Sequence, residues 1–99
     1  MNDLIAKVAA GEALLIDVRT DQEWAVGHAK NATHLALDRL QNGELPEADK
    51  ATPIYTYCRA GGRAGQAKDI LTAAGFTNAN NLGGLKDWQA MGGAVDGEI

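Results

Sequence analysis

Ninety-nine residues, 45% of them hydrophobic, suffice for one modest core and hence for a single domain over residues 1–99. A formal net charge of −4 weighs against a nucleic-acid binder, which needs a basic face to displace phosphate counterions. No apolar run reaches the roughly 18 residues of a membrane helix, and a lone cysteine excludes an intrachain disulfide, a Cys-x-x-Cys redox pair and a cysteine-rich zinc site.

Leu4, Ile5 and Val8 at helical spacing predict a short amphipathic helix ending near Gly11. Residues 13–18 (ALLIDV) form an apolar run closing on an acid, the pattern of a buried strand. Residues 21–26 predict one or two helical turns, with Thr20 or Asp21 as N-cap. Weak alternation over 32–37 predicts a second strand, and 37–42 a further short helix. The polar stretch 44–52, with Pro46, reads as a surface loop. Residues 53–57 (PIYTY) are rich in strand-forming types and run directly into Cys58. Over 61–73, Ala64, Ala67, Ile70 and Leu71 share one helical face, and Gly75 stands where helices commonly stop. A last strand is predicted over 78–82, then Gly83-Gly84, a helix over 85–91 and, after Gly92-Gly93, a frayed tail.

Strands alternating with helices imply a parallel sheet covered on both faces. Ligands of such sheets bind at the carboxyl ends of the strands. Asp17-Val18-Arg19, Cys58 and Gly83-Gly84 all fall at those ends. Asp3 and Lys7 interrupt the N-terminus before an apolar signal region could form, so no secretory signal is expected in this sequence. The expected location is the cytoplasm, or the periplasm if a signal has been removed.

The chemistry concentrates at Cys58-Arg59-Ala60-Gly61-Gly62-Arg63-Ala64, between a predicted strand and a predicted helix. A glycine-containing loop there can turn successive backbone N–H groups inward as an anion nest. The helix behind it adds its positive end, and Arg59 and Arg63 add two charges. All three favour thiolate over thiol and predict a depressed pKa for Cys58. The plainer alternative, a core cysteine before an ordinary turn, leaves two arginines at a strand end without a purpose.

The loop resembles the rhodanese signature Cys-x-x-Gly-x-Arg, matched by Cys58, Gly61 and Arg63. The segment Leu15-Ile16-Asp17-Val18-Arg19, with Glu23-Trp24 and Gly27-His28, is similar to that family's first motif. Leu82-Gly83-Gly84 with Trp88 is similar to its last. The resemblance implies a three-layer α/β/α fold around a central parallel sheet of four to five strands, with an edge strand usual before the first helix. It also implies sulfur transfer from thiosulfate or a related small anionic donor to cyanide or a thiol, through a persulfide on Cys58. Arg59, Ala60, Gly61, Gly62 and Arg63 would form the persulfide loop and bind donor, with Asp17 and Arg19 as loop support. In the family this acid commonly pairs with the arginine after the cysteine, here Arg59, so Asp17–Arg59 is expected as a brace; Asp17 capping the next turn is the alternative. Arg19 is expected to close a surface network in preference to binding donor oxygens. Ala60 and Ala64 stand where the family often has serines, which removes two hydroxyl donors.

No cofactor or metal is implied. His28 and His34, six residues apart, match no standard ligand spacing and read as structural. Related phosphatases and arsenate reductases hold a larger anion in a loop with five residues between cysteine and arginine; four separate Cys58 from Arg63, which disfavours that reading. A persulfide carrier or regulatory sulfur-binding module, acting with a sulfur-relay protein, is the non-enzymatic alternative. Neither nucleic acid nor membrane is expected as a partner.

Overall fold

The computed structural model describes residues 2–97. Helix α1 (Asn2–Ala9) leads into β1 (Leu14–Asp17), followed by α2 (Asp21–Val26), the short strands β2 (Gly27–Ala29) and β3 (Thr33–His34), and α3 (Leu37–Gln41). A loop then reaches β4 (Ile54–Cys58), α4 (Gly62–Ala73), β5 (Ala79–Gly84), α5 (Leu85–Ala90) and β6 (Val95–Gly97). Strands β3-β1-β4-β5 lie in that order in one all-parallel sheet. The fold is the expected three-layer α/β arrangement, with four strands in the central sheet. Among the described residues no helix is long and apolar enough to cross a membrane.

The two-residue period of the strands divides the core. Ile16, Ile54 and Cys58 point to one side and pack with Leu40 of α3 and Ala64, Ala67 and Leu71 of α4. Leu15 and Tyr57 point to the other and pack with Val8 of α1 and Leu85 and Trp88 of α5. Small alanines on the inner face of α4 let that helix lie close over β4. Thr56 is buried between them and donates its hydroxyl proton to the Ala64 carbonyl at 2.8 Å.

Three elements differ from expectation. The strand predicted over 32–37 contracts to Thr33–His34, because Asn31 turns through a left-handed conformation (φ 68°) just before it. The chain still follows the edge of β1: Leu35 N–H donates to the Asp17 carbonyl and Leu37 N–H to that of Val18. The strand predicted over 78–82 continues through Gly84, with a register irregularity opposite Thr56 and Tyr57 that brings Gly83 and Gly84 beside Tyr57 and Cys58. The tail expected to fray instead pairs antiparallel with β2, Ala29 opposite Val95 and Gly27 opposite Gly97. The indole Nε1 of buried Trp88 donates to the Ala94 carbonyl at 2.7 Å and anchors the start of that segment.

Tyr57 ties three elements together. Its hydroxyl donates to Asp17 Oδ2 at 2.6 Å and accepts from the Ala29 N–H at 3.0 Å, all within the core. Burial, reinforced by the bond to Asp17, raises its phenol pKa far above the ordinary value. The variant Tyr57→Phe would leave the Ala29 N–H without its partner and the Asp17 carboxylate with one fewer donor, in a place water does not reach. We expect a loss of about 1–3 kcal/mol in denaturant unfolding. An unchanged midpoint would show that this bridge contributes nothing.

Candidate active site

Strand β4 ends at Cys58 and α4 starts at Gly62, so the turn between them is very short. It closes because Gly61 takes the left-handed conformation (φ 105°), which costs a residue without Cβ little. The turn then folds back over the sulfur: the Gly61 N–H donates to Cys58 Sγ at 2.8 Å. Burial pushes the Cys58 thiol pKa up, but the backbone N–H groups of Ala64, Gly61, Ala60 and Arg63 pull it down further, and the net shift is downward. These N–H groups are the first donors of α4 and of the turn before it, and have no partner within the helix. Their convergence makes a seat for one anionic sulfur atom. Cys58 itself is 1% exposed, so the thiol lies at the floor of the loop rather than at an open mouth.

The loop rests on β5. Asn81 Nδ2 donates to the Gly61 carbonyl at 3.0 Å, while its Oδ1 accepts from the Gly83 N–H. The Gly84 N–H donates to Asp87 Oδ2 at 2.7 Å, which starts α5. A Cβ on Gly84 would run into the Arg59 carbonyl oxygen. Gly84 thus serves close approach between the loop and β5, while Gly83 (φ 110°) supplies a left-handed turn beside the Asp87 side chain.

The three arginines have separate positions. Arg19 curls back onto Asp17: its Nε lies 3.0 Å from both carboxylate oxygens, its Nη2 lies 2.7 Å from Oδ2, and its backbone N–H donates to Oδ1. A further bond runs from Nη2 to the Gly27 carbonyl. The pair is buried, Asp17 at 0% and Arg19 at 7% exposure. Burial opposes the Arg19 charge, and the Asp17 carboxylate more than offsets it, so the guanidinium pKa is raised. The expected Asp17–Arg59 brace is therefore replaced by Asp17–Arg19. Asp17 leaves β1 on the Tyr57 side of the sheet, opposite Cys58, and its oxygens are taken by neighbours there. Nor does Arg19 close a surface network; its network is internal.

Arg59 is exposed at the tip of the loop. Arg63 forms a two-pronged pair with Glu23, Nη1 to Oε1 at 2.7 Å and Nη2 to Oε2 at 3.1 Å. That bond is the main cause of a Glu23 pKa lowered to about 2. The carboxylate thus stays charged well below its ordinary pKa, and the pair's contribution to stability, complete above that ordinary value, is lost progressively as pH falls from there to about 2. The thiolate of Cys58 helps hold Arg63 protonated. Of the residues expected at the site, Cys58, Ala60, Gly61, Gly62 and Arg63 form one constellation, Arg59 flanks it, and Asp17 with Arg19 stands behind it. Sequence reasoning missed the roles of Glu23, Tyr57 and Asn81. Glu23 was visible as part of a capping box, Thr20-x-x-Glu23, a signal for helix α2 rather than for a partner of the loop.

Two clefts flank the loop. One of about 710 Å³ is lined by residues including Arg19, Thr20, Leu37, Arg39 and Arg63. The other, about 500 Å³, is lined by residues including Arg19, Glu23, Val26, Arg59 and Lys86. Among the described residues no group of His, Cys, Asp and Glu side chains could hold a metal ion. His28 Nδ1 and His34 Nε2 lie 3.0 and 2.8 Å from the carbonyls of Trp24 and Arg19, and both rings stack with Trp24. A carbonyl can only accept, so each of those nitrogens carries a proton and the histidines fasten backbone.

Gly84→Ala tests the loop's support. Its backbone (φ −111°) suits any residue, so the strain comes only from contact with Arg59. We expect a stability loss of about 1–3 kcal/mol, together with a Cys58 pKa moved back toward the ordinary thiol value as the N–H groups shift. Wild-type values for both would show that close approach is not required.

The Rhodanese-like domain family matches residues 1–91. PspE of Escherichia coli K12, a thiosulfate sulfurtransferase, is 37% identical over 73 residues, which are 73% of this chain and 70% of PspE. The uncharacterized protein slr1261 of Synechocystis is 36% identical over 80 residues, 80% of this chain but only 44% of that longer protein. The crystal structure of the Alr3790 protein of Anabaena superposes with a TM-score of 0.82 at 29% identity, covering 99% of this chain and 79% of that one. A strand-ending cysteine in a ring of N–H groups, on this sheet and with these relatives, makes the chain a member of the rhodanese family.

Proposed function

We propose that the protein is a sulfurtransferase that accepts sulfane sulfur from thiosulfate or a related donor as a persulfide on Cys58, and passes it to cyanide or a thiol. The observation that carries this reading is the ring of backbone N–H groups around Cys58 Sγ, which lowers the thiol pKa despite burial. Such a ring favours an anionic sulfur in two successive states, the thiolate before transfer and the terminal persulfide sulfur after it.

In the first step the Cys58 thiolate attacks the outer sulfur of thiosulfate. A sulfur–sulfur bond forms at Cys58, the bond to the sulfonyl sulfur breaks, and its electron pair leaves with sulfite. One negative charge remains on the outer sulfur of the persulfide. In the second step the acceptor, cyanide or a thiolate, attacks that outer sulfur. The Cys58–sulfur bond breaks and the thiolate returns, so no external oxidant or reductant is needed. Arg59 and Lys86 border one cleft, and among the described residues neither has a carboxylate within ion-pair distance. Their field supports the attraction of an anionic donor toward the loop. Burial of Cys58 favours small donors and acceptors over bulky ones.

Exposure to thiosulfate is expected to add the mass of one sulfur atom to the wild-type chain, removable by cyanide. Cys58→Ser should keep the fold, take up no sulfur and transfer none from thiosulfate above the uncatalysed rate. Turnover retained by this variant, or a wild type that stays unmodified and inactive with thiosulfate, would contradict the proposal.

A further inference from the structure

The cation that feels the Cys58 charge is already occupied. Arg19 is committed to Asp17 and Gly27, and Arg59 stands exposed at the loop tip. Arg63 remains as the guanidinium that couples to the Cys58 charge, and its planar fork is the geometry that would clamp an oxyanion. Glu23 fills that fork with both carboxylate oxygens. Glu23 is itself fixed in place: its Oε1 accepts from the Thr20 N–H at 3.0 Å and from the Thr20 hydroxyl at 3.2 Å. The Thr20 hydroxyl in turn accepts from the Glu23 N–H and caps α2. The carboxylate is therefore held by the helix start and does not wander to water. The pair stands between the two clefts, with Arg63 bordering one and Glu23 the other.

We propose that Glu23 selects sulfur donors by charge, its carboxylate occupying the Arg63 fork and repelling further oxyanions, so that a monoanionic donor of the type R–SO2–S⁻ is favoured over the thiosulfate dianion. This deepens the sulfurtransferase reading and rests on it. Both donors undergo the same step: the thiolate takes the outer sulfur, and the leaving group is a sulfinate from the monoanion or sulfite from the dianion. The two differ by one negative charge close to Glu23. In a half-solvated site a unit charge at short range is felt strongly, so that one charge is enough to order the donors. Glu23 contributes through the field and through Arg63, as a positioning and selecting group rather than a reacting one.

The test uses Glu23→Gln. Glutamine keeps the side-chain length and serves equally in a capping box, its Oε1 still accepting from Thr20 and from Arg63 Nη1, while its amide NH2 cannot accept from Arg63 Nη2, so the charge and one prong of the fork are removed together. The ratio of kcat/KM for thiosulfate to kcat/KM for methanethiosulfonate is expected to rise on the order of fivefold in the variant, from the Coulomb energy of one screened unit charge. A second measurement does not depend on sulfur transfer: the ratio of Cys58 alkylation rates with anionic iodoacetate and neutral iodoacetamide should rise in the same direction. Glu23→Ala, which removes the carboxylate and its contact with Arg63 together, should raise that alkylation ratio too. Ratios in Glu23→Gln equal to or below those of the wild type would overturn the proposal and leave Glu23 as a structural prop. Should the wild type transfer sulfur from neither donor, the functional reading fails, while the alkylation ratio still decides the role of Glu23.

Discussion

Between the last residue of β4 and the first turn of α4, the backbone must bend tightly enough for several N–H groups to reach one sulfur atom. This constraint accounts for much of the surrounding structure. Gly61 supplies the left-handed residue that the bend requires. Gly84 removes the side chain that would push the loop off β5, and Asn81 fastens the Gly61 carbonyl from below. The alanines on the inner face of α4 set how close the helix start comes to the strand end. The resulting seat is built from backbone dipoles that are fixed before any ligand arrives, so little reorganisation is needed when negative charge develops there.

Charge around this seat is partitioned across the sheet. Asp17 and Arg19 form a buried ion pair on the face opposite Cys58, further satisfied by Tyr57 and the Gly27 carbonyl. Removing one partner from such a pair leaves an uncompensated buried charge, typically worth about 3–5 kcal/mol. Its role follows from its place: it joins the end of β1 to Gly27, where α2 ends and β2 begins. Glu23 lies on α2, and Arg63 opens the helix behind the nest. The buried pair thus holds the end of the helix that carries Glu23, the partner of Arg63.

Much of this was legible in the sequence because it depends on local patterns. The run of residues 13–18, the strand ending at Cys58 and the alanine face of α4 each announce their element through periodicity. The candidacy of Cys58 follows from its place between strand and helix. What could not be read depends on contacts between distant segments. β2 and β6 are three residues each, contain glycine, and become strands only by pairing with one another. The exchange of Arg59 for Arg19 as the partner of Asp17 depends on which face of the sheet the carboxylate leaves, a fact that spacing along the chain does not carry. The pairing of Glu23 with Arg63, 40 residues apart, likewise arises from the angle at which α2 meets the loop.

The balance at Cys58 is between burial, which disfavours the thiolate, and the backbone N–H groups, which favour it. The rate of Cys58 alkylation by iodoacetamide, followed across pH on the intact protein, measures that balance directly. The account predicts an inflection below the pKa of an unperturbed cysteine. An inflection at or above that value would show that burial prevails, and that the loop does not stabilise the anionic sulfur on which the proposed chemistry depends.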